Sequence, residues 1–120
     1  MKIELKRLHS PDIYDLDNYK PNDSRIFGFL LQMMIGIEGV EGEESFDVFI
    51  CSPAFIENEL INTKWLFGRF YLFVNEYNFS SICNFINDYL SKLEVNSWED
   101  FAEDMAKYAK WEFDGYSNNN

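Results

Sequence analysis

The clearest pattern in this chain is an alternation of bulky apolar residues that runs from Phe27 to Ile37. Its members are Phe27, Phe29, Leu31, Met33, Ile35 and Ile37. A period of two places such side chains on one face of a β-strand. Shorter alternating runs occupy residues 2–7, 46–50 and 69–75. The first two thirds of the chain therefore predict a sheet.

The apolar period changes after residue 78. Between Phe79 and Leu93 apolar residues recur every three or four positions, which is typical of an amphipathic helix. Ser97 is suited to cap a second helix, and Ser52 with Pro53 predicts a short helix over residues 53–60. Residues 111–113 fit a short edge strand.

This order of elements predicts an α+β fold: an antiparallel sheet of four to five strands with two or three helices packed on one face. At 120 residues one domain suffices. We expect it to span residues 1–113, followed by a flexible polar C-terminal tail, residues 114–120.

Two connections stand out. Residues 10–26 carry Pro11, Pro21 and several aspartates but no regular pattern, and loops of this length in compact domains are often functional. Residues 36–45 hold three glycines and four glutamates between two predicted strands, which indicates an acidic hairpin. Both are candidate contact segments.

The charge balance restricts the partners. The chain has 10 Lys+Arg against 21 Asp+Glu, a net charge of −11. Phosphate backbones and anionic membranes repel such a surface, so we expect neither nucleic acid nor membrane as partner but a basic protein. The first ten residues, MKIELKRLHS, lack the uninterrupted apolar stretch of a signal peptide, which predicts a cytoplasmic location.

Catalytic and metal-binding motifs are weak. His9 is the only histidine, so a Cys–His nucleophile would require Cys51, and no motif supports that pair. Both cysteines are expected to be reduced core residues. The aspartates of residues 12–17 lack the glycine and the distal glutamate of a calcium loop. We therefore predict no catalytic residue, no cofactor and no metal site. A small hydrolase using a carboxylate pair or the Cys–His pair, and a structural homo-oligomer, remain as alternatives.

Acidic residues concentrate in three clusters. They are the loop residues Asp12, Asp15 and Asp17, the hairpin residues Glu38, Glu41, Glu43 and Glu44, and the helix residues Glu99, Asp100, Glu103 and Asp104. Each cluster could simply be a solvated face. Together they produce a negative field that would accelerate encounter with a cationic protein.

Several short segments, in order along nearly the whole chain, resemble the immunity protein 8 family of bacterial polymorphic toxin systems. They are Leu8-His9-Ser10-Pro11-Asp12, Tyr19-x-Pro21, the strand from Phe27 to Gly36, Glu43 to Pro53, Gly68-Arg69, Ser97-Trp98-Glu99 and Trp111-Glu112-Phe113. The resemblance implies a small cytosolic protein, not an enzyme, that binds a cognate toxin domain, in some systems a nuclease, and blocks it stoichiometrically.

The family motifs supply no toxin-binding set, so we select one from charge and placement. The predicted toxin-binding residues are Asp12, Tyr14, Asp15, Asp17, Tyr19, Glu38, Glu41, Glu43 and Glu44. The tyrosines are included because aromatic residues often dominate the energy of an interface. The chain itself is expected to be a monomer or a homodimer.

Overall fold

The computed structural model describes residues 1–115, so residues 116–120 of the predicted tail lie outside the described residues. The elements are β1 Ile3–His9, β2 Gly28–Ile37, β3 Glu44–Cys51, α1 Pro53–Thr63, β4 Tyr71–Phe73, α2 Phe79–Ser91, α3 Trp98–Met105 and β5 Lys110–Trp111. Five strands and three helices confirm the predicted α+β class. The domain boundary at residue 113 stays a prediction.

The strands form one open sheet in the order β1-β2-β3-β4. The pairs β1–β2 and β2–β3 are antiparallel, and β5 pairs antiparallel with β3. Strand β4 runs parallel to β3. The sheet is therefore mixed, because α1 carries the chain back along β3 before β4 begins and such a crossover produces a parallel neighbour.

One face of the sheet, called here the core face, packs against α2 and α3. Phe29, Leu31, Ile35 and Ile50 of the strands are buried in one cluster with α2 and α3. The helices contribute Ile82, Ile86, Leu90, Phe101, Ala102 and Met105. The helix caps are Asn78 and Ser97, whose side chains accept backbone N–H groups at the third position. The alternation of β2 thus fixes which face is covered.

Residues on the opposite face of the strands, called here the second face, lie away from α2 and α3. Helix α1 buries none of its residues fully, but its Phe55 ring sits 5.6 Å from the Phe49 ring. A Cβ added at Gly28 would meet the Phe55 ring at 2.8 Å. Gly28 therefore leaves the space that lets Phe55 lie against the second face.

Strand β4 is shorter than the predicted run 69–75. Phe70 has a φ of 61°, which removes it from extended conformation, and the Arg69 guanidinium lies 4.4 Å from the centre of its ring. Tyr71 and Leu72 of β4 are half-buried, whereas Phe73 is 56% exposed. Helix α1 runs three residues beyond the predicted end and terminates at Lys64, whose φ is 70°.

Strand β1 contains a bulge that the sequence alternation conceals. Leu5 pairs with Ile35 and Leu8 with Met33, with a register shift between Leu5 and Arg7. Because of the extra residue, Leu5 and Leu8 both pack on the core although they are three positions apart. The bulge also brings His9, at the end of β1, opposite Gln32 of β2.

A substitution at Gly36 tests how closely the hairpin backbone approaches β2 on the second face. A Cβ at Gly36 would collide with the carbonyl oxygen of Gly42, which is backbone and cannot rotate away. We expect Gly36→Ala to lower the free energy of unfolding by about 1–3 kcal/mol. Gly68→Ala is the matched control, because nothing lies within 4 Å of its Cβ position. Urea unfolding should separate the two variants; equal midpoints would contradict the close approach.

Candidate functional site

The acidic hairpin joins β2 to β3, and its four glutamates differ in their contacts. Arg7 Nε donates to both carboxylate oxygens of Glu43, at 3.0 and 3.2 Å. Trp111 Nε1 donates to Glu44 at 2.8 Å. Glu38 and Glu41 are exposed, and their carboxylates form no hydrogen bond or ion pair within residues 1–115. Two of the four acids are thus free and two are already engaged.

The turn of the hairpin is held in place from β1. Lys6 Nζ donates to the carbonyl oxygen of Val40 at 2.8 Å and pairs with Glu4 at 2.9 Å. Gly39 and Gly42 adopt positive φ values of 76° and 113°, which glycine accommodates without strain. The free carboxylates of the turn are therefore presented on a braced segment.

A cleft of about 430 Å³ lies beside this turn. Val40, Glu41, Glu43 and Trp98 are among the residues that line it. The Nε1 atom of Trp98 is buried and has no acceptor within the described residues. The hairpin therefore combines free negative charge with a recess that could receive a side chain.

The loop of residues 10–26 is anchored by two of the predicted toxin-binding residues. Leu30 lies in β2, past the last residue pair between β1 and β2. Its backbone N–H donates to Asp12 Oδ2 at 3.0 Å. Tyr19 packs edge-on against Phe29 and Tyr77, with ring centroids 5.7 and 5.3 Å away. Asp12 and Tyr19 thus have structural roles.

The remaining predicted residues of this loop point to solvent. Tyr14 is 106% exposed, and Asp15 and Asp17 are exposed as well. Asn18 Nδ2 donates to Asp15 at 2.8 Å, which orders the carboxylate within the loop. Leu16 is buried between these residues. The loop thus offers an aromatic ring and two carboxylates from a fixed base.

The hairpin and the loop lie at opposite ends of β2. Asp12 meets β2 at Leu30, and the hairpin leaves it after Ile37. Seven residues of strand separate these points by about 23 Å. The structure does not bring the two predicted clusters together in one compact site, but it places them at the two ends of one strand.

A polar row on the second face lies between these two clusters and was not predicted. His9, Gln32 and Asp47 are in register across β1, β2 and β3. His9 Nδ1 lies 2.6 Å from Gln32 Oε1, and Gln32 Nε2 donates to Asp47 Oδ2 at 3.3 Å. Burial raises the pKa of the Asp47 carboxyl, and the hydrogen bond from Gln32 opposes this shift. Lys110 of β5 lies opposite Asp47.

Four aromatic rings continue across the second face towards the edge of the sheet. Phe55, Phe49, Tyr71 and Phe73 follow one another with centroid distances of 5.6, 5.6 and 5.7 Å. The exposed edge of this row is Phe73. Alternation within each strand predicts that the strand residues of both rows lie on one face of their strands. Which of these residues become neighbours depends on the register between the strands and on the position of α1.

The Cys–His alternative fails on geometry. His9 lies opposite Gln32, Gln32 lies opposite Asp47, and Cys51 is four residues further along β3. Two strand spacings across the sheet and four residues along β3 place His9 and Cys51 roughly 16 Å apart. Cys51 is fully buried, and burial raises the pKa of its thiol to about 11. A hydrogen-bonded nucleophile–base pair of these residues is not formed.

Residues 1–115 contain no group of three or more His, Cys, Asp or Glu side chains arranged to hold a metal ion. In the same residues, none of the helices combines the length and the apolar character needed to cross a bilayer. Cys51 and Cys83 are both free thiols, as predicted, but Cys83 is only partly buried.

The comparison with family models gives one finding. A model described as immunity protein 8 matches residues 3–116, which is nearly the whole chain. The searches of curated proteins and of solved structures return no match.

Asp12 offers a test of its structural role that separates its hydrogen bond from its charge. Asp12→Ala leaves the Leu30 N–H without its acceptor and should cost about 1 kcal/mol of unfolding free energy. Asp12→Asn retains a carbonyl oxygen and should remain close to wild type. Urea unfolding of both variants measures this; equal losses would show that the charge, not the hydrogen bond, carries the effect.

Asp47 should make stability depend on pH with a defined sign. Its folded pKa is raised, so the folded chain holds the proton more tightly than the unfolded chain. This contribution is complete below the unfolded pKa, about 3.9, and is lost as pH rises through the higher folded pKa. Asp47→Asn does not titrate and retains an acceptor for Gln32.

The unfolding free energy of Asp47→Asn relative to wild type should therefore increase as pH is raised from below the unfolded pKa, about 3.9, towards neutral pH. Urea unfolding across this range gives the difference curve. A difference that is constant, or that shrinks as pH rises, would mean that burial of this carboxyl is not the dominant effect.

Proposed function

The chain belongs to the immunity protein 8 family, and we propose that it neutralises a cognate toxin domain by binding it in a one-to-one complex. The proposed mechanism is occlusion: the chain covers the functional surface of the toxin and carries out no reaction. Its negative charge of −11 supports a basic partner. A toxin that acts on nucleic acid would expose cationic groups, and the chain would compete with the nucleic acid for them.

The observation that carries this proposal is the pair of exposed, unpaired carboxylates on the braced hairpin. Glu38 and Glu41 can accept a lysine or arginine of the toxin without first losing an internal partner. Glu43 would have to share its contact with Arg7, and Glu44 its hydrogen bond from Trp111. We therefore rank Glu38 and Glu41 above Glu43 and Glu44 among the toxin-binding residues.

The loop contributes a second contact in this proposal. Tyr14 is a rigid aromatic side chain that is fully available, and such residues frequently dominate interface energies. Asp15 and Asp17 would pair with basic residues at its rim. Asp12 and Tyr19 would support the loop from below.

The spacing of the two contacts fits a typical interface. A standard interface covers about 800 Å² per partner, which corresponds to a patch roughly 28 Å across. The hairpin and the loop, about 23 Å apart along β2, could lie within one such patch. The polar row of His9, Gln32 and Asp47 would then lie between them. The proposal places this complex in the cytoplasm.

Charge reversal of the free hairpin acids tests the proposal. The partner to use is the toxin domain encoded beside this chain, and complex formation is measured by stopped-flow association and by biosensor dissociation. Glu38→Lys with Glu41→Lys should slow association at least about tenfold at low salt and flatten its salt dependence. The loss arises because two attractive charges become repulsive.

A matched control keeps the same change in net charge at another place. Glu76→Lys with Glu94→Lys alters two exposed acids outside the hairpin and the loop. This control variant should lower the association rate only modestly, because it changes the net charge of the chain but no charge in the hairpin or the loop. Equal losses in both variants would assign the effect to net charge alone, and absence of any complex with wild type would refute the proposed function.

A further inference from the structure

The segment between α1 and β4 exposes three consecutive large apolar side chains. Trp65 is 82% exposed, Leu66 47% and Phe67 96%. Residues 64–69 are called here the Trp65 loop. Single exposed apolar residues are ordinary, but a contiguous apolar patch of this kind marks an interaction site. The toxin-binding residues proposed above do not include this segment.

The Trp65 loop also differs in charge from the rest of the chain. No acidic residue occurs between Glu59 and Glu76, the longest acid-free stretch in a chain with 21 acids. Lys64 and Arg69 flank the apolar residues, and neither forms an ion pair within the described residues. The loop is an apolar tip with a basic base, which fits an apolar recess with an acidic rim.

The same chain has such a recess. A cleft of about 350 Å³ opens between the core face and the two helices α2 and α3, with Leu72, Phe85, Tyr89, Met105 and Tyr108 in its lining. Phe85 is 55% exposed there and Tyr108 62%. The volume lies near the lower end of sites that bind small ligands, about 300–1,000 Å³, which suits one or two aromatic rings.

An acidic pocket adjoins this cleft. Its volume is about 260 Å³, and it shares Tyr89, Met105 and Tyr108 with the apolar cleft. Its acidic lining residues are Glu94, Asp100, Glu103 and Asp104. Of these, Asp104 already contacts Lys107 at 3.4 Å. Apolar cleft and acidic pocket together complement the apolar tip and basic base of the Trp65 loop.

The loop lies close along the chain to one residue of the cleft lining. Tyr71 lines the cleft, and Phe67 lies four positions before it in the chain. Four residues span at most about 14 Å. In a two-fold dimer each copy presents the same patch to the other, so a patch that holds a loop next to its complementary cleft can close on itself.

We propose that the Trp65 loop of one copy inserts into the cleft of a second copy, and reciprocally, to form a two-fold homodimer. Trp65 and Phe67 enter the apolar cleft, and Lys64 and Arg69 face the acidic pocket. Two copies of charge −11 repel one another at long range, and they approach most easily where acids are absent, at this loop. The proposal concerns the chain without toxin and does not depend on the proposed function.

Sedimentation velocity without toxin tests the dimer. At near-physiological salt and about 100 µM the wild type should sediment as a dimer. Trp65→Ser with Phe67→Ser should weaken the dimer at least about tenfold, because aromatic anchors dominate such contacts. Both residues are exposed, so the fold should be retained, which circular dichroism checks. Tyr14→Ser, which removes an exposed aromatic elsewhere, should leave the dimer unchanged.

A mixing experiment tests the reciprocal geometry. Phe85→Ser with Tyr108→Ser should weaken the dimer through the cleft. Mixing this cleft variant with the loop variant should restore mixed dimers, since each mixed pair retains one intact loop and one intact cleft. Each variant alone should dimerise at least about tenfold more weakly than the wild type, and more weakly than the mixture.

Four outcomes would overturn the proposal. They are a monomeric wild type at about 100 µM, a dimer that is indifferent to the loop variant, mixed variants that stay monomeric, and a monomer whose loop variant loses toxin affinity instead. The last outcome would assign the Trp65 loop to the toxin interface. Loop-dependent binding of a monomer to phosphatidylglycerol vesicles would assign it to a membrane surface.

Discussion

Strand β3 is hydrogen-bonded on both edges, and the rest of the molecule depends on this double pairing. One edge pairs with β2 along almost its whole length, while the other is divided between β5, at residues 46–47, and β4, at residues 49–51. Phe46 is completely buried, with rings of Trp98, Phe101 and Trp111 within 6.2 Å. Packing around the Phe46 ring therefore holds β5 and α3 in contact with the sheet.

The double pairing also explains how the acidic hairpin is held. The hairpin enters β3 at Glu44, where Trp111 donates to the carboxylate, and the Ser45 N–H donates to Glu112 at 2.7 Å. The base of the hairpin is thus fixed by β5, and its turn by Lys6. A binding segment that is ordered before it meets its partner loses less conformational entropy on association. Glu43 and Glu44 have contacts that hold the hairpin in place, whereas the carboxylates of Glu38 and Glu41 have no hydrogen bond or ion pair within residues 1–115.

The sequence predicts what depends on local periodicity and capping. The structure confirms the alternation of β2, the change of period at α2 and the caps Ser52 and Ser97, because each depends on neighbours within a few residues. The parallel direction of β4 depends on the path of α1. The row of His9, Gln32 and Asp47 depends on a bulge at Lys6, which no local pattern reveals. Tyr19 is predicted to contact the toxin as an interface aromatic, but its ring packs edge-on against Phe29, a long-range contact that no local pattern reveals.

The negative charge ranks the two proposed partners of the chain. Between exposed charges the screening length is about 8 Å at physiological ionic strength. Added salt therefore reduces the attraction of a basic toxin, and it also reduces the repulsion between two copies of −11. Because the apolar tip of the Trp65 loop depends on burial more than on charge, self-association should be favoured where toxin association is slowed. Under these two proposals the same 21 acids favour a basic toxin over the second copy, most strongly in dilute salt.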